Sequence, residues 1–213
     1  MQINIVNIII KIYGKVYRYF VKNVCTYFAK IYCKSKGIQL GENVIFYGLL
    51  FANVYQGSRI KFGDNTVFRS DYKGNAIGIN HRIILRTQSS SAVIEIGNGS
   101  GMSGGAICAH KKVIIGKNTL IGANVVIADN DFHPIEPNER LNNSSKVISK
   151  EILIGDNVWI GADVYILKGV SIGDNTVIGA KSVVTKDVPA NCIAAGNPVR
   201  IIRYNSQGPI EVQ

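Results

Sequence analysis

From Ile154 onward an aliphatic residue returns every six positions, at Ile160, Ile166, Ile172, Ile178 and Val184. Glycine follows it at Gly155, Gly161, Gly173 and Gly179, and valine or a small residue sits four places on, at Val158, Val164, Val170, Thr176 and Ser182. A strand repeats every two residues and a helix every 3.6. A period of six predicts a solenoid instead, with one short strand and one turn on each face of a closed prism. With three faces, Ile154–Ser171 makes one coil and Ile172–Pro189 the next. Less regular turns at Leu40-Gly41, Phe62-Gly63, Ile96-Gly97, Ile115-Gly116 and Ile121-Gly122 carry the pattern back toward the start. Asn or Asp follows many of them, as at Asp64-Asn65, Asp156-Asn157 and Asp174-Asn175. Both residues tolerate tight corners. Residues 40–189 thus predict about seven coils, which at roughly 4.8 Å per coil make a prism a little over 30 Å long.

The period holds at Ile115, Ile121 and Ile127, breaks at Asp129, and resumes at Ile154. The polar stretch between, DNDFHPIEPNERLNNSSKVISKE (129–151), predicts a loop ejected from one face. Such loops carry reactive groups more often than the scaffold does.

The first 36 residues follow a different period. Ile5, Ile8, Ile9, Ile12, Val16, Tyr19, Phe20, Tyr27 and Ile31 recur at helical spacing, and Lys11, Lys15, Arg18 and Lys22 share another face. They predict a basic amphipathic helix, or two with a break near Asn23. Such a helix can lie on anionic lipid or near a lipid-linked glycan. It can equally cap an end of the prism, whose last coils need covering. The domain division is then 1–36, a prism over 37–203 with the loop 129–151, and a tail over 204–213.

Charge sharpens that division. Residues 1–36 hold seven of the 24 Lys and Arg and none of the 14 Asp and Glu, so most of the net +10 belongs to the leading segment. No recognition motif links this charge to nucleic acid. The apolar start lacks a basic flank and a small-residue cleavage pattern, so no signal peptide is expected. No run of 18 uncharged apolar residues predicts a membrane span. Cys25, Cys33, Cys108 and Cys192 show no metal spacing and no dense framework, which fits a reducing cytoplasm. The expected location is cytoplasmic, with peripheral contact at the inner face of the membrane if the helix binds lipid.

The chain has three histidines: His81, His110 and His133. His133 lies inside the break, next to Pro134 and close to Asp129 and Asp131. An imidazole is well suited to general-base work near neutral pH, a carboxylate can fix its tautomer, and proline stiffens the backbone that aims it. A loop histidine held by a structural hydrogen bond is the alternative. His110 lies about one coil earlier and lines a substrate groove or the bare surface. No histidine pair has metal-site spacing, so no catalytic metal is expected.

The stretch ILIGDNVWIGADVYILKGVSIGDNTVIGAKSVVTKDVPANCIAAGNPVRIIR (152–203) resembles the hexapeptide-repeat acetyltransferases of the left-handed parallel β-helix fold, near the maltose, galactoside and capsular polysaccharide O-acetyltransferases. The resemblance covers about residues 96–203 strongly and 37–95 weakly. It implies an all-β solenoid, a homotrimer, and acetyl-CoA held between neighbouring prisms. His133, in DFHP, falls at the catalytic histidine of the family, with Asp131 and Asp129 as catalytic candidates for its carboxylate partner. Trp159 would cover the pantetheine arm. Thr185, Lys186, Ala195, Gly196, Arg200 and Arg203 would meet the cofactor, the basic ones at its phosphates. His110, and Met102 or Ser103, which stand where sugar-specific relatives carry an asparagine, would contact the acceptor. The acceptor expected is a sugar of a surface polysaccharide or its lipid-linked precursor. Alternatives are a soluble sugar or amino sugar, including N-transfer, and a non-catalytic trimeric scaffold.

Overall fold

The computed structural model describes residues 5–142 and 146–205, with side chains from Asn7 onward. Most of the tail, 206–213, and residues 1–4 lie outside the described residues.

The prism is built coil by coil. The first coil is β1 (Gln39–Leu40), β2 (Ile45–Tyr47) and β3 (Phe51–Asn53). The second is β4 (Arg59–Phe62), β5 (Val67–Arg69) and β6 (Ile84–Thr87). The third is β7 (Val93–Ile96), β8 (Gly101–Ser103) and β9 (Ala106–Ala109), and the fourth β10 (Lys112–Ile115), β11 (Leu120–Ala123) and β12 (Val126–Ala128). The fifth is β13 (Ile152–Ile154), β14 (Trp159–Ile160) and β15 (Tyr165–Ile166), and the sixth β16 (Ser171–Ile172), β17 (Val177–Ile178) and β18 (Val183–Val184). Each coil gives one strand to each of three parallel sheets, here faces A, B and C in chain order. This is the left-handed β-helix. A seventh coil is partial: Val188 bridges Ile172 on face A, and β19 (Cys192–Ala195) joins face B before β20 (Arg200–Tyr204) turns back antiparallel against it.

The six-residue period becomes a ladder on each face. On face A, Phe62, Ile96, Ile115, Ile154 and Ile172 stack in register. On face B the rungs are Phe46, Phe68, Met102, Ile121, Ile160, Ile178 and Ala194. On face C they are Ala52, Leu85, Ile107, Ile127, Ile166 and Val184. Every rung side chain is buried. The corners use the left-handed backbone region, with Asn65, Asn118, Asn157 and Asn175 at φ between 52 and 57°. Asparagine enters that region more readily than most side chains.

The leading segment is one helix, α1 (Ile5–Ser35), with no break at Asn23, whose Nδ2 donates to the Tyr19 carbonyl at 2.9 Å. Its C-terminal half caps the prism. Ala29 and Cys33 are buried in the same core as Phe46, Phe62 and Phe68. Thr26 Oγ1 donates to the Phe46 carbonyl and accepts from its N–H, at 3.0 and 2.9 Å. The Tyr32 hydroxyl does the same for Ala52, at 3.1 and 3.0 Å. Two side chains thus satisfy the open edges of β2 and β3, which would otherwise offer pairing sites to another chain. The opposite side of α1 is apolar and exposed, from Ile9, Ile12, Val16 and Phe20 to Tyr27 and Ile31. Among the described residues no helix is long and apolar enough to cross a membrane.

Two excursions leave the prism. The loop 129–151 emerges at the corner between faces C and A of the fourth coil, as its sequence predicts, and carries the short helix α2 (Pro137–Leu141). The other, residues 70–83, leaves the corner between faces B and C of the second coil. It folds back along that corner, where the Asn80 N–H donates to Asn124 Oδ1 at 2.7 Å.

Candidate functional site

The loop that carries His133 is anchored by two carboxylates with different roles. Asp129 is fully buried. It accepts from the backbone N–H groups of His110, Lys111 and Lys112 at 2.7, 2.6 and 2.8 Å, and from Asn130 Nδ2 at 3.0 Å. It therefore ties the loop's start to the C/A corner one coil earlier, and its oxygens are spent on that anchorage. Asp131 holds Lys168, from the next coil at the same corner, with Nζ and Oδ1 2.6 Å apart. Its Oδ2 is buried and has no partner among the described residues.

Between Asp131 and His133 the chain makes a three-residue turn. The His133 N–H donates to the Asp131 carbonyl at 2.6 Å, and Phe132 at its apex has φ 60°. A bulky residue at positive φ is an outlier, and such strain clusters at functional sites. Asn130 supports the turn, accepting from the Phe132 N–H at 2.9 Å while its Nδ2 also donates to Gln88 Oε1 at 2.9 Å. Pro134 is buried and its carbonyl accepts from Arg140 at 3.0 Å. The His133 side chain itself is exposed. The turn thus presents an imidazole on a braced backbone at the C/A edge.

Several other residues singled out in the sequence share that edge. His110 stands there one coil before the loop, and Thr185 and Lys186 stand there two coils after it, both exposed. Trp159 does not. It opens β14 at the corner between faces A and B, 58% exposed. Ala195, Gly196, Arg200 and Arg203 lie on or beside the β19–β20 hairpin that ends face B, with both arginines exposed. Lys186, Arg200 and Arg203 have no ion-pair partner among the described residues, so their charges are available to phosphate.

Met102 requires a correction. Its side chain is 3% exposed and stacks in the core between Phe68 and Ile121, where no acceptor can reach it. The signal was in the chain: Met102 lies six residues after Ile96, on the aliphatic phase. Ser103 faces outward at the B/C corner, an edge away from His133, so one chain does not bring the two together. Sequence reasoning missed Lys168, Asn130 and Gln88, whose roles appear only when successive coils are stacked.

The outer faces differ in character. Face A carries Arg59, Lys61, Glu95, Lys112 and Glu151 around one exposed apolar side chain, Leu153, with ion pairs Arg59–Glu95 and, at 3.5 Å, Lys112–Glu151. Face B exposes Leu120, 58% accessible, beside Trp159 in the adjacent strand, and face C exposes Phe51, Tyr165 and, just past β15, Leu167. Leu120 with Trp159, and Tyr165 with Leu167, are neighbouring exposed apolar pairs, with Phe51 four coils away, and such patches mark contact surfaces.

The bacterial transferase hexapeptide (six repeats) model matches residues 151–186, and the hexapeptide repeat of succinyl-transferase matches 112–128. A polysialic acid O-acetyltransferase of Escherichia coli O1:K1 / APEC is 40% identical over 125 residues, 57% of this chain and 39% of that protein. The matched stretch spans less than half the length of the curated relatives it matches. Among solved structures, a galactoside acetyltransferase in complex with coenzyme A is 31% identical, with 91% of this chain and 79% of that chain covered and a TM-score of 0.48. The polysialic acid O-acetyltransferase OatWY is 26% identical, with 83% and 86% covered and a TM-score of 0.57.

Proposed function

The chain belongs to the hexapeptide-repeat acetyltransferase family, and from that premise we propose that it moves an acetyl group from acetyl-CoA to a sugar hydroxyl of a surface polysaccharide or its lipid-linked precursor. The relatives named for polysialic acid and galactoside support a carbohydrate acceptor. The observation that carries the site is the pairing of two apolar outer faces with one charged face.

Three prisms around a threefold axis each bury two faces, and the apolar faces B and C are the ones that gain by it. Face C of one protomer then meets face B of the next. The C/A edge of the first, with His133, His110, Thr185 and Lys186, comes against the A/B edge and face B of the second, with Trp159, Arg200 and Arg203. Residues that stand on separate edges of one chain thereby line one cleft between two chains.

In that cleft the acetyl thioester lies beside His133. Lys186 of one protomer and the β20 arginines of its neighbour are placed for the phosphates of acetyl-CoA, which guanidinium and ammonium groups bind through charge-assisted hydrogen bonds. Trp159 covers the pantetheine arm, and Ala195 and Gly196 leave room for it. The imidazole takes the proton of the acceptor hydroxyl as its oxygen adds to the thioester carbonyl. The C–S bond then breaks, and the proton passes to the leaving thiolate. A base so positioned contributes about 10²–10⁴ in rate. Asp129 and Asp131 act by holding the loop rather than by touching the acceptor. The apolar outer side of α1, with Lys11, Lys15, Arg18 and Lys22 on another face of the helix, supports peripheral contact with the inner face of the membrane, where a lipid-linked precursor resides.

Mixed trimers test the shared site. His133→Ala and Trp159→Ala chains are each expected to lose most transfer to a glycan acceptor. Refolded together at equal ratio, they restore both native side chains at about one interface in four. Recovery toward a quarter of the wild-type rate is the expected result. A mixture no more active than the mean of its parents would place the site within one chain.

A further inference from the structure

A second opening lies away from the acyl-transfer edge, at the helical end of the prism. It measures about 720 Å³ and is bounded by α1, by the ends of β2 and β5, and by the start of the 70–83 excursion. Four cations line it: Arg18 and Lys22 from the helix, Arg69 from β5, and Lys73 from the excursion. None of the four has an ion-pair partner among the described residues. The one acid of the opening is Asp71, and it is already engaged. Its Oδ1 accepts from the Tyr17 hydroxyl at 2.8 Å and from the Lys73 N–H at 3.2 Å.

The walls are fixed rather than merely crowded. The Tyr17–Asp71 hydrogen bond pins the excursion to the helix across 54 residues of sequence. Burial, and then the Asp71 carboxylate, push the Tyr17 hydroxyl up to about 12, so it remains a donor at any physiological pH. The Arg69 guanidinium lies over the Tyr47 ring at 4.2 Å, and Lys73 Nζ over the Tyr17 ring at 5.5 Å. Tyr13 and Tyr17 stack with centroids 6.3 Å apart. Four converging cations outnumber the single carboxylate, so the opening stays net positive, and a bound anion relieves the remaining repulsion. Aromatic walls suit the apolar face of a sugar ring or an isoprenoid stem.

Depth favours one anion. The apolar stripe of α1 faces away from this opening, so the two lie about one helix diameter apart, roughly 10–12 Å. When that stripe sinks into the acyl boundary of a bilayer, the opening stands at headgroup level. In the threefold assembly proposed above, three such openings gather around the axis at this end, which raises the local positive potential.

We propose that this opening is a binding site for a diphosphate, and that it holds the diphosphate of a glycan acceptor. The second clause rests on the acetyltransfer reading; the first does not. The test is calorimetric titration of the full chain with inorganic pyrophosphate at low ionic strength. Because acetyl-CoA also carries a diphosphate, Lys186→Gln serves as the control for its cleft. Lys22→Gln/Lys73→Gln changes two exposed side chains, so the fold is retained, and melting temperature checks it. A tenfold or greater loss of pyrophosphate affinity in the double variant, with Lys186→Gln unchanged, is the expected result. Wild-type affinity in the double variant, or loss only in Lys186→Gln, would overturn the site. A second arm distinguishes the source. Sedimentation with phosphatidylcholine vesicles containing a polyprenyl diphosphate, beyond that with charge-matched phosphatidylserine vesicles, identifies a lipid-linked ligand. Equal sedimentation by both identifies a soluble diphosphate. Neither arm measures acetyl transfer, so failure here and failure of the transferase reading are separate results.

Discussion

Lys168 Nζ lies 2.6 Å from Asp131 Oδ1, and each side chain is only about a quarter exposed. This contact ties the fifth coil to a residue two positions before His133, across 37 residues of sequence. It is a positioning contact, since it bears on the imidazole only through the turn at Phe132. Lys168→Met leaves a largely buried carboxylate with neither oxygen paired, at a cost of about 1–3 kcal/mol. The expected outcome is a fall in kcat of about 10–100-fold with KM for acetyl-CoA nearly unchanged, as a small misplacement of a reacting group produces. Lys168→Arg should recover part of the rate. Steady-state kinetics of the two variants separate this role from a merely structural one, which would move the melting temperature and leave kcat intact.

Asp129 makes the opposite prediction. Its carboxylate satisfies three consecutive backbone N–H groups at a corner, and all are orphaned in Asp129→Ala. Buried donors without partners cost about 1–3 kcal/mol each, less whatever water recovers. A loss of about 2–4 kcal/mol is expected, which for a chain of this size lowers the melting temperature by roughly 4–16 °C. Asp129→Asn keeps one oxygen and should lose about half as much. Differential scanning calorimetry measures both. A catalytic Asp129 would show the reverse pattern, with activity lost and stability kept.

These two aspartates show where the chain could be read and where it could not. Ile154, Ile160 and Ile166 announce three faces because one residue type returns at one phase, and the break at Asp129 announces the loop because that phase stops. The 70–83 excursion gave no such notice. Its flanking strands belong to coils of irregular length, so the period there was already loose before it failed. Which aspartate holds backbone and which holds a lysine depends on Lys168 and on the N–H groups of residues 110–112, one coil away in space. Contacts between coils span about 18 residues or more and carry no local pattern. Met102 is a different case: its phase placed it in the core, and likeness to a substrate-binding position drew the reading away from it.

The cap can be tested without touching the site. In Thr26→Val, β2 loses the hydroxyl that serves both the N–H and the C=O of Phe46, and in Tyr32→Phe, β3 loses the same service at Ala52. Each change is expected to cost about 1–3 kcal/mol, and their effects to add because the sites are separate. Exposed strand edges also invite pairing with other chains. The double variant should therefore form larger species on size-exclusion chromatography as protein concentration rises. Cys33 supplies a pH dependence in the same cap. Burial pushes its thiol up to about 12, above the ordinary value of 9.0. Above pH 9 the unfolded chain ionises this thiol first and binds fewer protons than the folded one, so stability falls as pH rises toward 12. Cys33→Ala should flatten that alkaline slope in urea titrations between pH 8 and 10.

The same cap decides how membrane contact must be measured. Deleting α1 would remove Ala29, Cys33, Thr26 and Tyr32 from the prism's end, so a truncated chain confounds lipid binding with unfolding. The exposed stripe offers a cleaner change, because Ile9, Val16 and Phe20 lie opposite the capping side chains. Apolar burial stabilises by about 25 cal/mol per Å², and a helix of this type gains further from anionic lipid. The intact chain is expected to sediment with vesicles of phosphatidylcholine and phosphatidylserine, less so at high salt because surface attraction is screened. Ile9→Ser/Val16→Ser/Phe20→Ser should reduce that binding at least tenfold while leaving the melting temperature within about 2 °C, since the changes are on the surface. Equal binding by both chains would show that the helix serves the prism alone.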